Sequence, residues 1–314
     1  MKFTLDLSKG ETKPMNPSCL DGFIGQDNVI KRIEFFAASS SEETPFPTLL
    51  FTGSHGLGKT YLSEKVANVL GRKFVTINCG NIKKREEFLS LFSKEVRGPS
   101  TIFLDESHGL SKELETLLLT LLNPTPSHLN YVAYEDFELV FNMKRINVIF
   151  ATTDAHLMFR PLLNRCQKVY FESYSNESII EILKFYLGNV KFSCDLNDLA
   201  DACRSRARDA YLLSQNVKRY MTLNKIKTLT QKDWQSIKSV FDIYPKGLHK
   251  EEVNLLEAIR DFGPISSANL ALRLMVNESN VKSEMEIRLR ELGLIKSTSK
   301  GREITKEGLE YFSL

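Results

Sequence analysis

Gly53-Ser-His-Gly-Leu-Gly-Lys-Thr60 sets three glycines before a lysine and a hydroxyl, and Asp105-Glu106 joins two carboxylates at the end of the apolar run Thr101-Ile-Phe-Leu104. The first segment fits G-x-x-x-x-G-K-[ST], the pattern of a loop that cradles phosphates. Gly53, Gly56 and Gly58 carry no Cβ, so the backbone can aim its N–H groups at phosphate oxygens. Lys59 then reaches the β- and γ-phosphates, and the Thr60 hydroxyl ligates Mg²⁺. Of the carboxylates, Asp105 is the candidate to hold Mg²⁺ through its water shell, and Glu106 to polarise the attacking water as general base. The bland alternatives are a chance glycine-rich loop and, for either carboxylate alone, an N-cap closing a buried strand. The succession of loop and carboxylates along one chain predicts binding and hydrolysis of a nucleoside triphosphate with Mg²⁺. These residues leave ATP and GTP undistinguished.

That chemistry needs strands and helices to position it. Thr48-Leu-Leu-Phe-Thr52 reads as a buried strand entering the loop, and Leu62, Val66, Val69 and Leu70 recur at helical spacing behind it. The phosphates then meet a helix N-terminus, where orphan N–H groups and the dipole favour negative charge. A further apolar strand, Ile146-Asn-Val-Ile-Phe150, runs into Ala151-Thr-Thr153. A hydroxyl there can sense the γ-phosphate and the attacking water, with Thr153 the better placed of the two threonines.

Residues 16–172 alternate apolar strands with helical stretches, the signature of an α/β domain with a parallel sheet, and residues 1–15 read as a loose tail. After the turn Asn123-Pro-Thr-Pro-Ser127, residues 129–134 and 137–141 form either a protruding hairpin or two ordinary sheet strands. Residues 173–245 carry helical periodicity over 178–187, 196–203 and 210–220, with Thr230 as N-cap of a fourth helix: a small helical lid. From residue 246 to 314 the pattern is three helices and a hairpin, a winged helix. Ser266 or Ser267 caps its second helix and Asn277 its third. The third helix mixes Glu284 and Glu286 with Lys282, Arg288 and Arg290, which suits a major-groove reader poorly. Lys296, Lys300 and Arg302 on the wing are the better candidates for DNA, through phosphates and without sequence preference. A protein-docking winged helix with a solvated basic turn is the other reading.

The 314 residues suffice for two or three domains, and 42% hydrophobic content is globular. No apolar run approaches a membrane span, and Met1-Lys-Phe-Thr-Leu-Asp-Leu is too short and acidic for a signal core, so a cytoplasmic location is expected. Five cysteines without paired C-x-x-C spacing suit free thiols, and neither they nor the histidines suggest zinc. A net charge of +3 is too mild to establish nucleic-acid binding from composition.

Leu20-Asp-Gly-Phe-Ile-Gly-Gln26, the phosphate loop, Asp105-Glu-Ser-His108, Ala151-Thr-Thr153, Pro161-Leu-Leu-Asn-Arg165 and the C-terminal region with its Ser299-Lys-Gly-Arg302 turn form an ordered set. It resembles the AAA+ ATPases, and among them the RuvB family, hexameric motors that drive branch migration of Holliday junctions in recombination and repair. The resemblance runs from about Asn16 onward. It implies ATP with Mg²⁺, a homo-oligomeric ring (a hexamer), and duplex or four-way junction DNA as partner. It implies nucleotide contacts from Ile24, Leu57, Tyr61 and Tyr174 beside the loop, and a RuvA-like protein docking on hairpin 129–141. Arg165 stands where such motors carry the arginine finger that completes a neighbour's site, worth about 10³–10⁵ in rate. Arg208, ahead of Arg206, stands for the sensor that turns loss of the γ-phosphate into lid rotation and movement of the winged helix. Two segments depart from RuvB. Leu162-Leu-Asn-Arg-Cys-Gln167 and Arg208-Asp-Ala210 are more similar to clamp loaders, and RuvB's Gly-Thr-Pro-Arg is missing. A clamp-loader-like or initiator-like ATP switch, and a nucleotide-gated DNA-binding regulator, therefore stand beside the motor.

Overall fold

The computed structural model describes residues 3–6 and 20–313. Contacts divide the chain into two compact units, Met1–Tyr174 and Ser175–Leu314.

In the first unit the elements are β1 (Phe3–Asp6), α1 (Asp27–Ala38), β2 (Leu49–Thr52), α2 (Lys59–Val69), β3 (Lys73–Asn78), α3 (Arg85–Glu95) and β4 (Ser100–Asp105). There follow α4 (Lys112–Leu121), β5 (Leu129–Tyr134), β6 (Phe137–Asn142), β7 (Ile146–Thr152), α5 (Arg160–Leu163) and β8 (Gln167–Tyr170). Five parallel strands make the central sheet in the order β3-β4-β7-β2-β8. Every residue of β2 and β7 is buried, as is all of β4 except Asp105, the continuous apolar strand expected where helices cover both faces. Leu50, Ile102, Leu104, Val148 and Phe150 share one core cluster with Phe88, Phe92, Leu114 and Leu118. The order puts β7 between β4 and β2, so the carboxylate strand, the threonine strand and the phosphate-loop strand end side by side. Ligands bind at such carboxyl ends in open α/β sheets.

β5 and β6 are an antiparallel hairpin, lying outside the central sheet in a three-stranded sheet with β1. The loose N-terminal tail is thus corrected in part: Phe3–Asp6 pairs in parallel with Phe137–Val140. The alternation in Phe3-Thr-Leu-Asp6 is a strand pattern too short to stand out without its partner. The remainder of the 1–15 tail, and residues 16–19 with Cys19, lie outside the described residues.

The second unit opens with α6 (Asn176–Leu187), β9 (Lys191–Ser193), α7 (Leu196–Ala202), α8 (Ala207–Asn224), β10 (Thr228–Thr230) and α9 (Gln231–Val240). Thr230 caps α9 as expected, in a reciprocal box with Asp233. A parallel pair of three-residue strands, β9 and β10, joins the helices; runs this short leave no periodic trace. The winged part comprises α10 (Lys250–Phe262), α11 (Ser267–Leu274), α12 (Glu278–Asn280), α13 (Glu286–Glu291), β11 (Ile295–Thr298), β12 (Gly301–Ile304) and α14 (Lys306–Tyr311). Leu255, Leu256, Ile259, Leu270, Val281, Leu289 and Leu294 form its core. Ser266 caps α11 by accepting from the Asn269 N–H. The expected third helix is interrupted by a π turn over Val281–Met285, and Asn277 makes no side-chain cap.

Arg204 and Glu252 join the two parts of this unit. The Arg204 guanidinium pairs with the Glu252 carboxylate, whose second oxygen accepts the His249 N–H at 2.8 Å. Arg288 lies close by and donates to the Lys246 carbonyl at 3.4 Å. Burial holds its guanidinium below the ordinary value, reinforced by the charge of Arg204 and opposed by Glu291 and Glu252.

Candidate nucleotide site

The loop between β2 and α2 is shaped by its glycines. Gly53 has φ +144°, and a Cβ there would stand 2.7 Å from the Phe171 carbonyl oxygen, so only glycine fits beside β8. Gly58, at φ +92°, is the N-cap of α2, with the Phe23 ring and the Tyr174 hydroxyl 3.4 and 3.6 Å from where its Cβ would be. Leu57 is buried, and its carbonyl accepts from Tyr174 Oη at 3.2 Å. Phe23 stacks on Tyr61 at 5.8 Å between centroids. The structure therefore gathers Gly58, Tyr61 and Tyr174 around Phe23, with Leu57 tied to Tyr174, and Ile24 is half-buried one residue on. Gln26 fixes this segment by exchanging two hydrogen bonds with the backbone of Glu172, at 2.6 and 3.1 Å. Phe23 and Gln26 were not singled out from sequence, although both stand in the Phe-Ile-Gly-Gln segment.

Lys59 Nζ donates to the carbonyls of Gly53 and Ser54, at 2.6 and 2.7 Å. Burial lowers its pKa, and the carboxylates of Asp105 and Glu106 oppose that by favouring the charged form. The ammonium is thus buried inside the loop and within the field of both carboxylates. Thr60 is exposed on the first turn of α2. Its hydroxyl and the Asp105 carboxylate are hard oxygen donors, which fits Mg²⁺.

Asp105 Oδ1 accepts the Glu106 N–H at 3.1 Å. Glu106 itself has φ +50°, the left-handed region that non-glycine residues enter at a cost and that collects at functional sites. Its carboxylate lies between two imidazoles: Oε1 is 3.6 Å from His55 Nδ1, and Oε2 is 3.5 Å from His108 Nδ1. His108 Nδ1 is also 3.0 Å from Thr152 Oγ1, which accepts the Asp154 N–H at 2.9 Å. Ser107 ties β4 to β7, donating to the Leu104 carbonyl and accepting the Ala151 N–H. The hydroxyl of Thr153, the sensor candidate in the sequence, donates to Asp154 at 2.7 Å. The threonine in contact with His108 is Thr152, because consecutive residues at a strand end face opposite ways. Cys79, after β3, has its thiol pushed up to about 12, chiefly by burial, so it offers no thiolate here.

Arg165 is folded against its own unit. Nη1 donates to the Pro161 carbonyl at 3.2 Å and Nη2 to Asn123 Oδ1 at 3.3 Å, while Nε is buried without a partner. It lines a cavity of about 460 Å³ with Thr116, Asn123, Leu129 and Tyr131. Arg208 is exposed on the first turn of α8, and Arg206 is its half-buried N-cap.

On the wing, Lys300 is exposed, and Lys296 is exposed with a 3.4 Å ion pair to Glu303. Arg302 is held differently: Nε donates to Glu286 Oε1 at 2.8 Å, and its side chain is only 17% exposed. Glu286 is 1% exposed and also pairs with Arg290, so it presents no charge to a phosphate backbone. A buried carboxylate needs such partners, which takes Arg302 away from solvent.

Among the described residues no helix is long and apolar enough to cross a membrane.

The RuvB P-loop domain, described as that of a Holliday junction DNA helicase, matches residues 15–170, and the RuvB C-terminal winged helix domain matches residues 245–313. The chain is a RuvB-like AAA+ ATPase. Its RuvB-type P-loop domain is a nucleotide-binding one. Among curated relatives, the RuvB subunit of the Holliday junction branch migration complex from Campylobacter lari is 25% identical, covering 96% of this chain and 91% of the relative. The corresponding subunit from Chloroflexus aurantiacus is 27% identical over 96% of this chain and 89% of its own length. The solved Thermotoga maritima RuvB Holliday junction branch migration motor shares the fold, with a TM-score of 0.76, 24% identity and coverage of 94% of this chain and 96% of that one.

Proposed function

We propose that this RuvB-like protein is an ATP-driven motor that moves Holliday junctions by branch migration. One observation carries the reading: phosphate loop, paired carboxylates and threonine-ended strand stand at three adjacent parallel strand ends, in a chain that also carries a RuvB-type winged helix.

In this reading the loop N–H groups, Lys59 and the N-terminus of α2 bind the triphosphate of ATP. Thr60 and Asp105 would hold Mg²⁺, which when bound neutralises charge on the β- and γ-phosphates. Glu106 takes the proton of the attacking water, and the end of β7 at Thr152 and Thr153 reports on the γ-phosphate. Ile24, Leu57, Tyr61 and Tyr174, with Phe23, flank the nucleotide. Arg165 acts on the site of a neighbouring copy in a homo-oligomeric ring, a hexamer by analogy with the family, and Arg208 serves as the lid sensor. Lys296 and Lys300 touch DNA phosphates. The β5–β6 hairpin is the proposed seat of a RuvA-like partner, and the cytoplasm the proposed location. We retain residues 16–172, 173–245 and 246–314 as ATPase, lid and winged-helix domains.

The test is ATP turnover without DNA, with linear duplex and with a four-way junction, alongside strand-displacement assays and particle images of the same samples. Junction-stimulated turnover with processive strand exchange is expected. A second reading, a clamp-loader-like switch, is favoured by the Asn164-Arg-Cys-Gln167 and Arg208-Asp-Ala210 segments. One round of hydrolysis that releases DNA without strand exchange would establish that switch instead.

A further inference from the structure

The Glu106 carboxylate has its two oxygens on two different histidines, and the two histidines come from different parts of the site. His108 follows β4 and leans on Thr152 at the end of β7. His55 belongs to the phosphate loop itself, and its side chain is 66% exposed. An ionised carboxylate only accepts, so an imidazole that carries its proton on the facing Nδ1 is the form that attracts it. At 3.5 and 3.6 Å these are ion-pair contacts, longer than hydrogen bonds.

We propose that His55 is a positioning residue for Glu106, coupling occupancy of the phosphate loop to the aim of the general base. A general base needs its accepting oxygen pointed at one water. Glu106 sits on a left-handed residue at a strand exit, where the backbone alone leaves its side chain several rotamers. His108 restrains one oxygen from the threonine side and His55 the other from the loop side. Triphosphate held by the loop would lie beside His55, which stands between Gly53 and Gly56 and is exposed. Movement of that ring therefore changes the hold on Oε1, and the base is aimed in response to the phosphates it will act beside.

The proposal rests on Glu106 as general base, and the experiment separates the two. Single-turnover hydrolysis and affinity for a fluorescent ATP analogue are measured for His55→Ala, His55→Gln, Glu106→Gln and the double variant His55→Ala with Glu106→Gln. His55→Ala is expected to lower the hydrolysis rate about tenfold, a fraction of the 10²–10⁴ that a general base supplies, with affinity unchanged. His55→Gln, which keeps an N–H donor, should restore most of the rate. In the Glu106→Gln background, His55→Ala should cost nothing more. An unchanged rate in His55→Ala overturns the positioning role. So does an equal loss in both backgrounds, or a loss confined to affinity, which makes His55 a phosphate ligand. Full turnover by Glu106→Gln removes the base assignment itself, and the proposal with it.

Discussion

Glu252→Gln isolates the charge that joins the α6–α9 part of the second unit to its winged part. The carboxylate is 5% exposed and faces Arg204, itself 12% exposed, while the Nε atoms of Arg204 and Arg288 are buried without hydrogen-bond partners. An amide keeps an oxygen for the His249 N–H but leaves two guanidinium groups with less opposing charge. Removing one partner of a buried pair costs roughly 3–5 kcal/mol, and the residual exposure of Arg204 argues for about 3. Unfolding entropy of about 2.1 cal/mol/K per residue, over the unit Ser175–Leu314, gives about 0.3 kcal/mol/K. The transition of that unit, followed by calorimetry on the full chain, should therefore fall by about 10 °C. Replacing both partners, Arg204→Met with Glu252→Leu, should recover only part of the loss, because apolar groups replace the pair while the His249 N–H loses its acceptor and Arg288 an opposing charge. A shift below about 2 °C for Glu252→Gln would refute the reasoning, since the pair would then contribute as little as a solvated one.

The other predictions concern arginines, the wing and pH. Arg165→Ala should abolish turnover while leaving nucleotide affinity intact, and mixing it with Glu106→Gln should restore activity through sites made of one copy of each; restoration failing while assembly persists removes the finger. Lys300→Ala should weaken DNA binding and flatten its dependence on salt by about one in slope, whereas Arg302→Ala should lower the melting temperature by freeing buried Glu286. Equal effects of both on DNA affinity, with stability unchanged, would return Arg302 to the DNA-facing set. Asp209 has its carboxyl raised above the ordinary value by burial, against the opposing charges of Arg206, Arg204, His249 and Arg208. Its stabilising contribution is thus complete below the unfolded value near 3.9 and lost as pH rises through the folded one. Denaturant melts should show Asp209→Asn matching the wild type below that pH and exceeding it at neutrality; a gap constant with pH would contradict this.

The phosphate loop was legible because its requirements are local. Gly53 and Gly58 answer to backbone angles, Lys59 and Thr60 to reach, and Leu62, Val66 and Val69 to one helix face, all within a single stretch of chain. The strands β2, β4 and β7 were legible as well, since burial on both faces writes an uninterrupted apolar run. Which strands stand together is a long-range choice, and only the tertiary structure set β7 between the other two, bringing Thr152 to His108 and His55 to Glu106. The same holds for charges. Arg302 looks like a wing cation in sequence, and what it does depends on a carboxylate sixteen residues earlier that folding buries beneath it. Residue type fixes what a group can donate or accept; its partner is decided by packing, because desolvation makes a buried charge seek whichever opposite group the fold delivers.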